Sequence, residues 1–333
     1  MLSPELGGGH AAARVHHSLR RCGGLAACGA RTTTGNAGDR VPQFCLARAL
    51  PPLSAFLKGL NDRGFVEGRN VAIEYRWAEG HYERLPALIA DLVQRNVSVI
   101  AATSTPAAVA AKAANTTIPI VFTTSGDPVQ LGFVSSLSQP GGNLTGATQL
   151  NVEVSAKRLE LMHEALPIAT NFVLLVNPPG PNTKAELGDY NAAATALGLT
   201  LHVLRASSEQ DLGSVFESLS QLKTEALVIG SDPFFSRYIE KIAELALRYR
   251  MPAIYQYAEF TTAGGLMSYG GNVGESYHIA GVYVGRILNG EKPANLPVQQ
   301  VIKVELIVNL KTAKALGITV PSQIVARADE IID

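Results

Sequence analysis

The fold of this chain is decided by residues 97–127, which read VSVIAATSTPAAVAAKAANTTIPIVFTTSGD. A short apolar run is followed by an alanine-rich segment of helical length and then by a second apolar run. Two apolar strands separated by a helix of about ten residues are typical of a βαβ unit, in which the strands lie parallel. This stretch therefore predicts a parallel sheet with a helix packed against it.

The same alternation extends along the chain in both directions. Upstream, residues 54–65 (SAFLKGLNDRGF) have apolar positions at helical spacing, and residues 70–78 (NVAIEYRWA) alternate like a strand. Downstream, residues 127–137 (DPVQLGFVSSL) predict a helix. After PGGNLTG at 140–146 the strand–helix alternation starts again and continues toward the end of the chain. We therefore predict an α/β fold with two doubly wound parallel-sheet units in tandem.

The composition narrows the class of protein. With 333 residues the chain is long enough for two domains. Its formal net charge is zero and no cluster of basic residues follows residue 52, which argues against a nucleic-acid-binding surface. No apolar run reaches the roughly 18 residues that a membrane-spanning helix needs. The cysteines are Cys22, Cys28 and Cys45, so the body from residue 46 onward has no thiol for a disulfide or a metal site.

Polar residues gather where the predicted strands end, which is where open parallel sheets bind ligands. Because hydroxyls and free N–H groups at a helix N-terminus favour an anion, we expect Thr103–Thr105 and Thr123–Ser125 to hold a carboxylate. Asp232 and Glu259 are expected to hold an ammonium group. Residues of these types also serve as N-caps, and it is their repetition at successive strand ends that favours a site. The candidate ligand-binding residues are Thr103, Ser104, Thr105, Thr123, Thr124, Ser125, Asp127, Asn177, Asp232, Tyr255 and Glu259, with Tyr257, Phe234 and Phe235 as further apolar contacts.

Catalytic patterns are missing from the sequence. It contains no glycine-rich phosphate loop and no G-x-S-x-G motif. His81, His163, His202 and His278 are scattered without metal-ligand spacing. A reaction would need a nucleophile, base or metal constellation, and none is found. We therefore expect a binding protein with no cofactor and no metal rather than an enzyme.

Several long motifs resemble a bacterial family of ABC-transporter substrate-binding proteins. They include GLNDRGFVEGRNVAIEYRWAEGHYERLPALIADLV at 59–93, RYRMPAIYQYAEFTTAGGLMSYG at 248–270 and VELIVNLKTAKALGITVPSQIVARADEII at 304–332. The resemblance runs from about residue 54 to the end of the chain. The family that it indicates looks like the tryptophan- and tyrosine-binding proteins. It implies a monomeric solute-binding component of an ABC importer, which captures a small carboxylate or amino acid and docks on ABC permease subunits.

The resemblance also implies the type I periplasmic-binding fold, in which two lobes are joined by a hinge of three chain crossings. We place the crossings near Gly146–Leu150, Gly264–Gly270 and Gln299–Val304. The first lobe then comprises residues 53–149 with 271–298. The second lobe comprises residues 150–270 with 299–333.

Residues 1–52 do not share the pattern of the rest and read either as a disordered tail or as a translation error. Members of the resembled family begin with a signal peptide and a strand similar to PVIGFLNS, which is missing here. Back-translating Ala37–Gln43 and reading one nucleotide later gives PVIGFLN, and the same shift from His10 to Leu50 can encode a twin-arginine signal. We therefore expect residues from about 10 to 52 to be a frameshifted signal peptide and first strand. The intact protein would be periplasmic, whereas the chain as written has no readable signal peptide.

Two other classes of protein remain open. A ligand-sensing α/β domain of a transcriptional regulator would share the fold, but it would need an N-terminal helix-turn-helix, and residues 1–52 show no such pattern. An α/β enzyme with an unrecognised site would convert its ligand. A ligand that is bound tightly and returned unchanged would separate the binding protein from the enzyme.

Overall fold

The structure is a computed structural model that describes residues 26–29, 51–219 and 221–333. The segment expected to be frameshifted lies outside these residues, except for positions 26–29 and 51–52. The strands are β1 (Ala26–Gly29), β2 (Glu74–Trp77), β3 (Ile100–Ala102), β4 (Ile120–Thr124), β5 (Leu144–Thr148), β6 (Asn171–Val176), β7 (Thr200–Arg205), β8 (Ala226–Ile229), β9 (Ala253–Tyr255), β10 (Met267–Gly271), β11 (Gln299–Gln300), β12 (Val304–Asn309) and β13 (Glu330–Ile332). The helices are α1 (Pro51–Asn61), α2 (Leu85–Gln94), α3 (Thr105–Ala113), α4 (Ser155–Ala165), α5 (Thr183–Leu197), α6 (Glu209–Leu219), α7 (Pro233–Arg237), α8 (Ile239–Arg248), α9 (Ala258–Thr262), α10 (Val273–Leu288), α11 (Leu310–Leu316) and α12 (Ser322–Arg327), with 3₁₀ turns at Tyr82–Arg84 and Pro293–Asn295.

Two parallel-dominated sheets organise the chain. The four-stranded sheet has the order β11-β5-β4-β3, and all its neighbours are parallel. The seven-stranded sheet has the order β13-β12-β10-β9-β8-β6-β7, and it is parallel except where β12 meets β10. A separate antiparallel ribbon is formed by β1 and β2. The predicted α/β class is confirmed.

Each sheet has its own hydrophobic core. In the four-stranded sheet, Phe122 of β4 packs in one cluster with residues of α1, α2, α3 and α10. In the seven-stranded sheet, successive residues of β6 enter two different clusters: Leu174 lies in one, and Val173 and Leu175 lie in the other. Because side chains alternate across a strand, this sheet is covered by helices on both faces, as a doubly wound sheet requires. We call the four-stranded sheet with its helices the first lobe, and the seven-stranded sheet with its helices the second lobe.

Helix α10 returns the chain to the first lobe, where it packs closely against α1. A Cβ atom added at Gly59 would lie 2.1 Å from the carbonyl oxygen of His278, and one added at Gly281 would lie 2.1 Å from the carbonyl oxygen of Phe56. Only glycine allows the two backbones to approach this closely. These two glycines therefore allow α10, a distant segment of the chain, to pack closely in the first lobe.

The chain passes between the lobes three times. The first crossing lies between Thr148 and Ser155, the second between Gly271 and Val273, and the third between Gln300 and Val304. The first two lie slightly C-terminal to the predicted windows, because β5 stays paired through Thr148 and β10 through Gly271. Residues 299–300, which the sequence assigned to the second lobe, pair with β5 of the first.

The helix predicted for residues 127–137 is wrong. The segment forms consecutive turns that begin with a hydrogen bond from the Leu131 N–H to the Asp127 carbonyl oxygen (3.0 Å). The Asp127 carboxylate also accepts a hydrogen bond from the Val129 N–H (2.7 Å), and Gly132 adopts a left-handed conformation with φ +68°. Side-chain bonding of an aspartate to nearby N–H groups favours turns, and a left-handed residue ends a helix.

Candidate functional site

A cavity of about 150 Å³ lies between the two lobes. The first lobe contributes the ends of β3 and β4 and the start of α3, and the second lobe contributes α7 and the segment after β9. The carboxyl ends of adjacent parallel strands meet at one edge of a sheet, which explains why the hydroxyl residues that follow two strands reach the same space. Of the predicted residues, those that line the cavity are Thr103, Ser104, Thr105, Thr123, Thr124, Ser125 and Glu259, together with the further contact Tyr257.

Hydroxyls of the first lobe gather at the N-terminus of α3, and we call Ser104, Thr105 and Thr124 the hydroxyl network. Ser104 is the N-cap, and its Oγ accepts a hydrogen bond from the Ala107 N–H (3.3 Å). Thr105 Oγ1 and Thr124 Oγ1 are 2.9 Å apart, and the Ser125 N–H donates to Thr105 (3.3 Å). Ser104 therefore caps α3 and lines the cavity at the same time. One of the two threonine hydroxyl protons forms the hydrogen bond between Thr105 and Thr124, and the other remains available to donate to another acceptor.

Asp232 does not line the cavity. It is the N-cap of α7, and its Oδ1 accepts hydrogen bonds from the Phe234 N–H (2.9 Å), from Asn177 Nδ2 (2.9 Å) and from the Tyr82 hydroxyl. Burial raises the pKa of the Asp232 carboxyl, and the hydrogen bonds from Tyr82 and Asn177 oppose that shift. Asp232 and Asn177 therefore lie in a contact between the lobes, beside the cavity.

The predicted aromatic residues divide between the core and the cavity. Tyr255 is fully buried, and its hydroxyl donates to the Asp232 carbonyl oxygen (3.2 Å). Phe234 and Phe235 are buried in the core of the second lobe. Tyr257 lines the cavity, and its hydroxyl donates to Gln149 Oε1 (2.7 Å) at the first crossing. One of the four aromatic candidates thus faces the cavity.

The cavity residues that the sequence analysis missed include Arg237, Gln149 and Tyr277. Arg237 is the last residue of α7, whereas the sequence analysis considered the positions directly after β8. Gln149 lies in the first crossing. Tyr277 belongs to α10, whose return to the first lobe brings it near Thr103, and its hydroxyl donates to the Thr103 carbonyl oxygen (3.0 Å). No local sequence pattern marks Gln149 or Tyr277 as cavity residues.

Charge in the cavity lining comes from Arg237 and Glu259, both of the second lobe. Among the described residues there is no group of three or more His, Cys, Asp or Glu side chains placed to hold a metal ion. No helix in the described part of the chain is long and apolar enough to cross a membrane. The arrangement can therefore supply hydroxyls on one side and one charge of each sign on the other.

A cavity lined by two α/β lobes, which three chain crossings connect, is typical of a two-lobed ligand-binding protein. The chain belongs to the family of ABC transporter substrate binding proteins, whose profile matches residues 51–332. The resemblance and the type I periplasmic-binding fold expected from the sequence are confirmed. The members of this family are substrate-binding proteins, and the chain is accordingly not an enzyme.

Three relatives illustrate the similarity. A tyrosine-binding protein from Clostridioides difficile is 27% identical over 262 residues, which cover 78% of this chain and 75% of that protein. The crystal structure of a conserved domain protein from Vibrio cholerae has a TM-score of 0.77 and 28% identity, covering 87% of this chain and 97% of that one. The structure of an ABC domain from Streptococcus pneumonia in complex with L-Trp has a TM-score of 0.74 and 22% identity, covering 87% and 98%.

Proposed function

We propose that this protein captures a small carboxylate or amino-acid ligand between its lobes and delivers it to an ABC importer. The observation that carries the proposal is the cavity between the lobes, which has a hydroxyl network on one lobe and a carboxylate, Glu259, on the other. We propose that the predicted residues that line the cavity, namely Thr103–Thr105, Thr123–Ser125 and Glu259, contact the ligand directly. Asn177, Asp232 and Tyr255 support the cavity from outside its lining.

The volume of the cavity limits the ligand. An engineered protein cavity of about 150 Å³ holds one benzene molecule, and the cavity here has a similar volume of about 150 Å³. Tyr257 and Tyr277 supply aromatic surface beside it. Because the cavity is partly open, this volume limits the part of the ligand that it surrounds, and we propose an amino acid whose side chain has no more than one six-membered ring. The relative named as a tyrosine-binding protein agrees with a ligand of this kind.

Several bonds in this structure cross the cleft, which is the arrangement of a closed clamp. Besides the Tyr82–Asp232 contact, Asn182 Nδ2 of the second lobe donates to Thr105 Oγ1 of the first (3.3 Å). We propose that the lobes open by bending at the three crossings and close on the ligand. Small-angle scattering should show compaction on addition of ligand, and identical curves at saturation would contradict the hinge motion.

Calorimetry with single amino acids tests the function. L-tyrosine and L-phenylalanine should bind, L-tryptophan should bind more weakly because its indole exceeds one ring, and the ligand should be recovered unchanged. Xylose serves as the control ligand because it has no carboxylate. Binding of sugars alone would overturn the assignment.

We also propose that the intact protein acts outside the cytoplasm as a monomer that docks on ABC permease subunits and binds no nucleic acid, as a member of this family would. The expected signal peptide and frame shift can be tested at the DNA level. Sequencing the codons for residues 8–56 should reveal two compensating shifts. An unbroken reading frame in independent isolates would contradict the expectation.

A further inference from the structure

We propose that Arg237 is the residue that binds the carboxylate of the ligand. This inference rests on the proposed function and specifies how the ligand is oriented. Arg237 is the last residue of α7 and lines the cavity together with Ser236 and Ile239. Its side chain also reaches the first lobe, since a Cβ atom added at Gly80 would lie 3.8 Å from Arg237 Nη1. The guanidinium thus lies where the two lobes meet at the cavity.

The guanidinium of Arg237 has no acceptor among the described residues. Its Nη1 is enclosed and makes no hydrogen bond, and no described carboxylate lies within ion-pair distance of the group. The guanidinium lies over the ring of Tyr238, whose centroid is 5.5 Å from Arg237 Cζ. An enclosed charged donor without an acceptor is unfavourable, and buried polar groups are nearly always paired. A carboxylate in the cavity would supply the missing acceptor.

The hydroxyl network of the first lobe is a weaker candidate for this role than the sequence suggested. Ser104 Oγ accepts from the Ala107 N–H, and Thr124 Oγ1 accepts from the Gly126 N–H (3.2 Å) and pairs with Thr105. The Ser104 proton and one proton of the threonine pair remain available as donors, but each belongs to a neutral hydroxyl that can donate a single hydrogen bond. Hydrogen bonds between ionised partners are roughly twice as strong as neutral ones, and a guanidinium can bind both carboxylate oxygens at once.

This assignment orients the ligand. Arg237 and Glu259 both belong to the second lobe, so an α-amino acid would place its carboxylate and ammonium groups against that lobe. Its side chain would then point toward the hydroxyl network of the first lobe. A side chain that ends in a hydroxyl, such as a phenol, suits that position because the network can exchange hydrogen bonds with it.

The test compares L-tyrosine with L-tyrosinamide, which lacks the carboxylate charge, by calorimetry. For the unmodified protein we expect L-tyrosine to bind at least tenfold more tightly than the amide. In Arg237→Gln the affinity for L-tyrosine should fall by at least tenfold, and the ratio between the two ligands should approach one. The matched control is Arg248→Gln, because Arg248 is exposed on α8 and lies over the following ring, Tyr249, at 5.9 Å. This control should behave like the unmodified protein.

The alternatives give distinguishable results. If Arg237→Gln kept the full preference for L-tyrosine while Ser104→Ala with Thr124→Ala abolished it, the carboxylate would be bound by the hydroxyl network and our inference would be overturned. If the unmodified protein bound no amino acid, the proposed function would fail. Benzoate and acetate would then be titrated into the unmodified protein and into Arg237→Gln. Binding that is lost in Arg237→Gln would still support the carboxylate site, and no binding to either protein would overturn it.

Discussion

The Tyr82 hydroxyl donates a hydrogen bond to Asp232 Oδ1 and so joins the two lobes across the cleft. Tyr82 packs on the core of the first lobe, and Asp232 caps α7 in the second. Asn177 Nδ2 donates to the same Tyr82 oxygen (3.3 Å). In the proposed hinge motion the carboxylate would lose this partner on opening, so we expect the contact to favour closure although Tyr82 and Asp232 lie outside the cavity lining.

Tyr82→Phe should therefore shift the clamp toward the open form. A hydrogen bond to a charged group contributes about 1.5–3 kcal/mol, and Asn177 and the Phe234 N–H would still satisfy Asp232. We expect ligand affinity to fall by about tenfold, or about 1.4 kcal/mol, mainly through faster dissociation. Stopped-flow kinetics and small-angle scattering would measure the change.

Tyr75→Phe is the matched control for this prediction. The Tyr75 hydroxyl donates to Glu67 Oε2 (3.1 Å) within the first lobe and crosses no interface between the lobes. Its removal should leave ligand affinity unchanged. Equal affinities for both variants and the unmodified protein would show that the Tyr82–Asp232 contact has no part in closure.

Glu259→Gln should reduce recognition of the ligand's amino group. Glu259 is the acidic residue in the cavity lining, and an amide in its place cannot form an ion pair with an ammonium. Affinity for L-phenylalanine should fall by about tenfold, whereas affinity for 3-phenylpropionate, which has no amino group, should stay the same or rise. Calorimetry with both ligands measures the difference. An equal loss for both would mean that Glu259 contributes only to the shape of the cavity.

Gly281→Ala should destabilise the first lobe. Its Cβ atom would meet the Phe56 carbonyl oxygen at 2.1 Å and force α1 and α10 apart. Such overpacking typically costs about 1–3 kcal/mol. Gly188→Ala is the control, because a Cβ atom there meets nothing within 4 Å inside α5 and should stabilise the helix by about 0.5–1 kcal/mol. Urea denaturation would measure both, and a stabilised Gly281→Ala variant would refute the close packing of these helices.

Glu186 should make stability depend on pH. Burial raises the pKa of its carboxyl, which lies 3.6 Å from the equally buried Arg158 guanidinium and accepts a hydrogen bond from the Ser231 N–H (2.7 Å). The folded state then binds more protons than the unfolded state between the ordinary and the raised pKa. The free energy of unfolding should therefore decrease as pH rises through that interval.

Glu186→Gln removes this titration. Thermal unfolding of the variant should depend less steeply on pH above the ordinary pKa of a glutamate. The control is Glu160→Gln, since Glu160 pairs with Lys157 at the surface (2.7 Å). A slope that is unchanged in Glu186→Gln would show that the buried pair keeps Glu186 ionised in the folded state.

The candidate site could be predicted where its residues follow a strand. Thr103 to Thr105 and Thr123 to Ser125 come directly after buried strands, and parallel strands end at one edge of a sheet. Asp127 shows the limit of that rule, because its carboxylate bonds the N–H groups of its own turn. Arg237 could not be predicted by this rule, because the whole of α7 separates it from the end of β8.

The local pattern of the sequence by itself determined the alternation of strands and helices, the α/β class and the N-cap of α3. These features depend on periodicity and on residues within a few positions of one another. The tertiary structure alone decided which polar groups remain available in the cavity. Asp232 is occupied by Tyr82, 150 residues earlier, and Tyr277 reaches Thr103 only because α10 packs on α1. Partners so distant in sequence are chosen by the packing of whole elements, which no local pattern encodes.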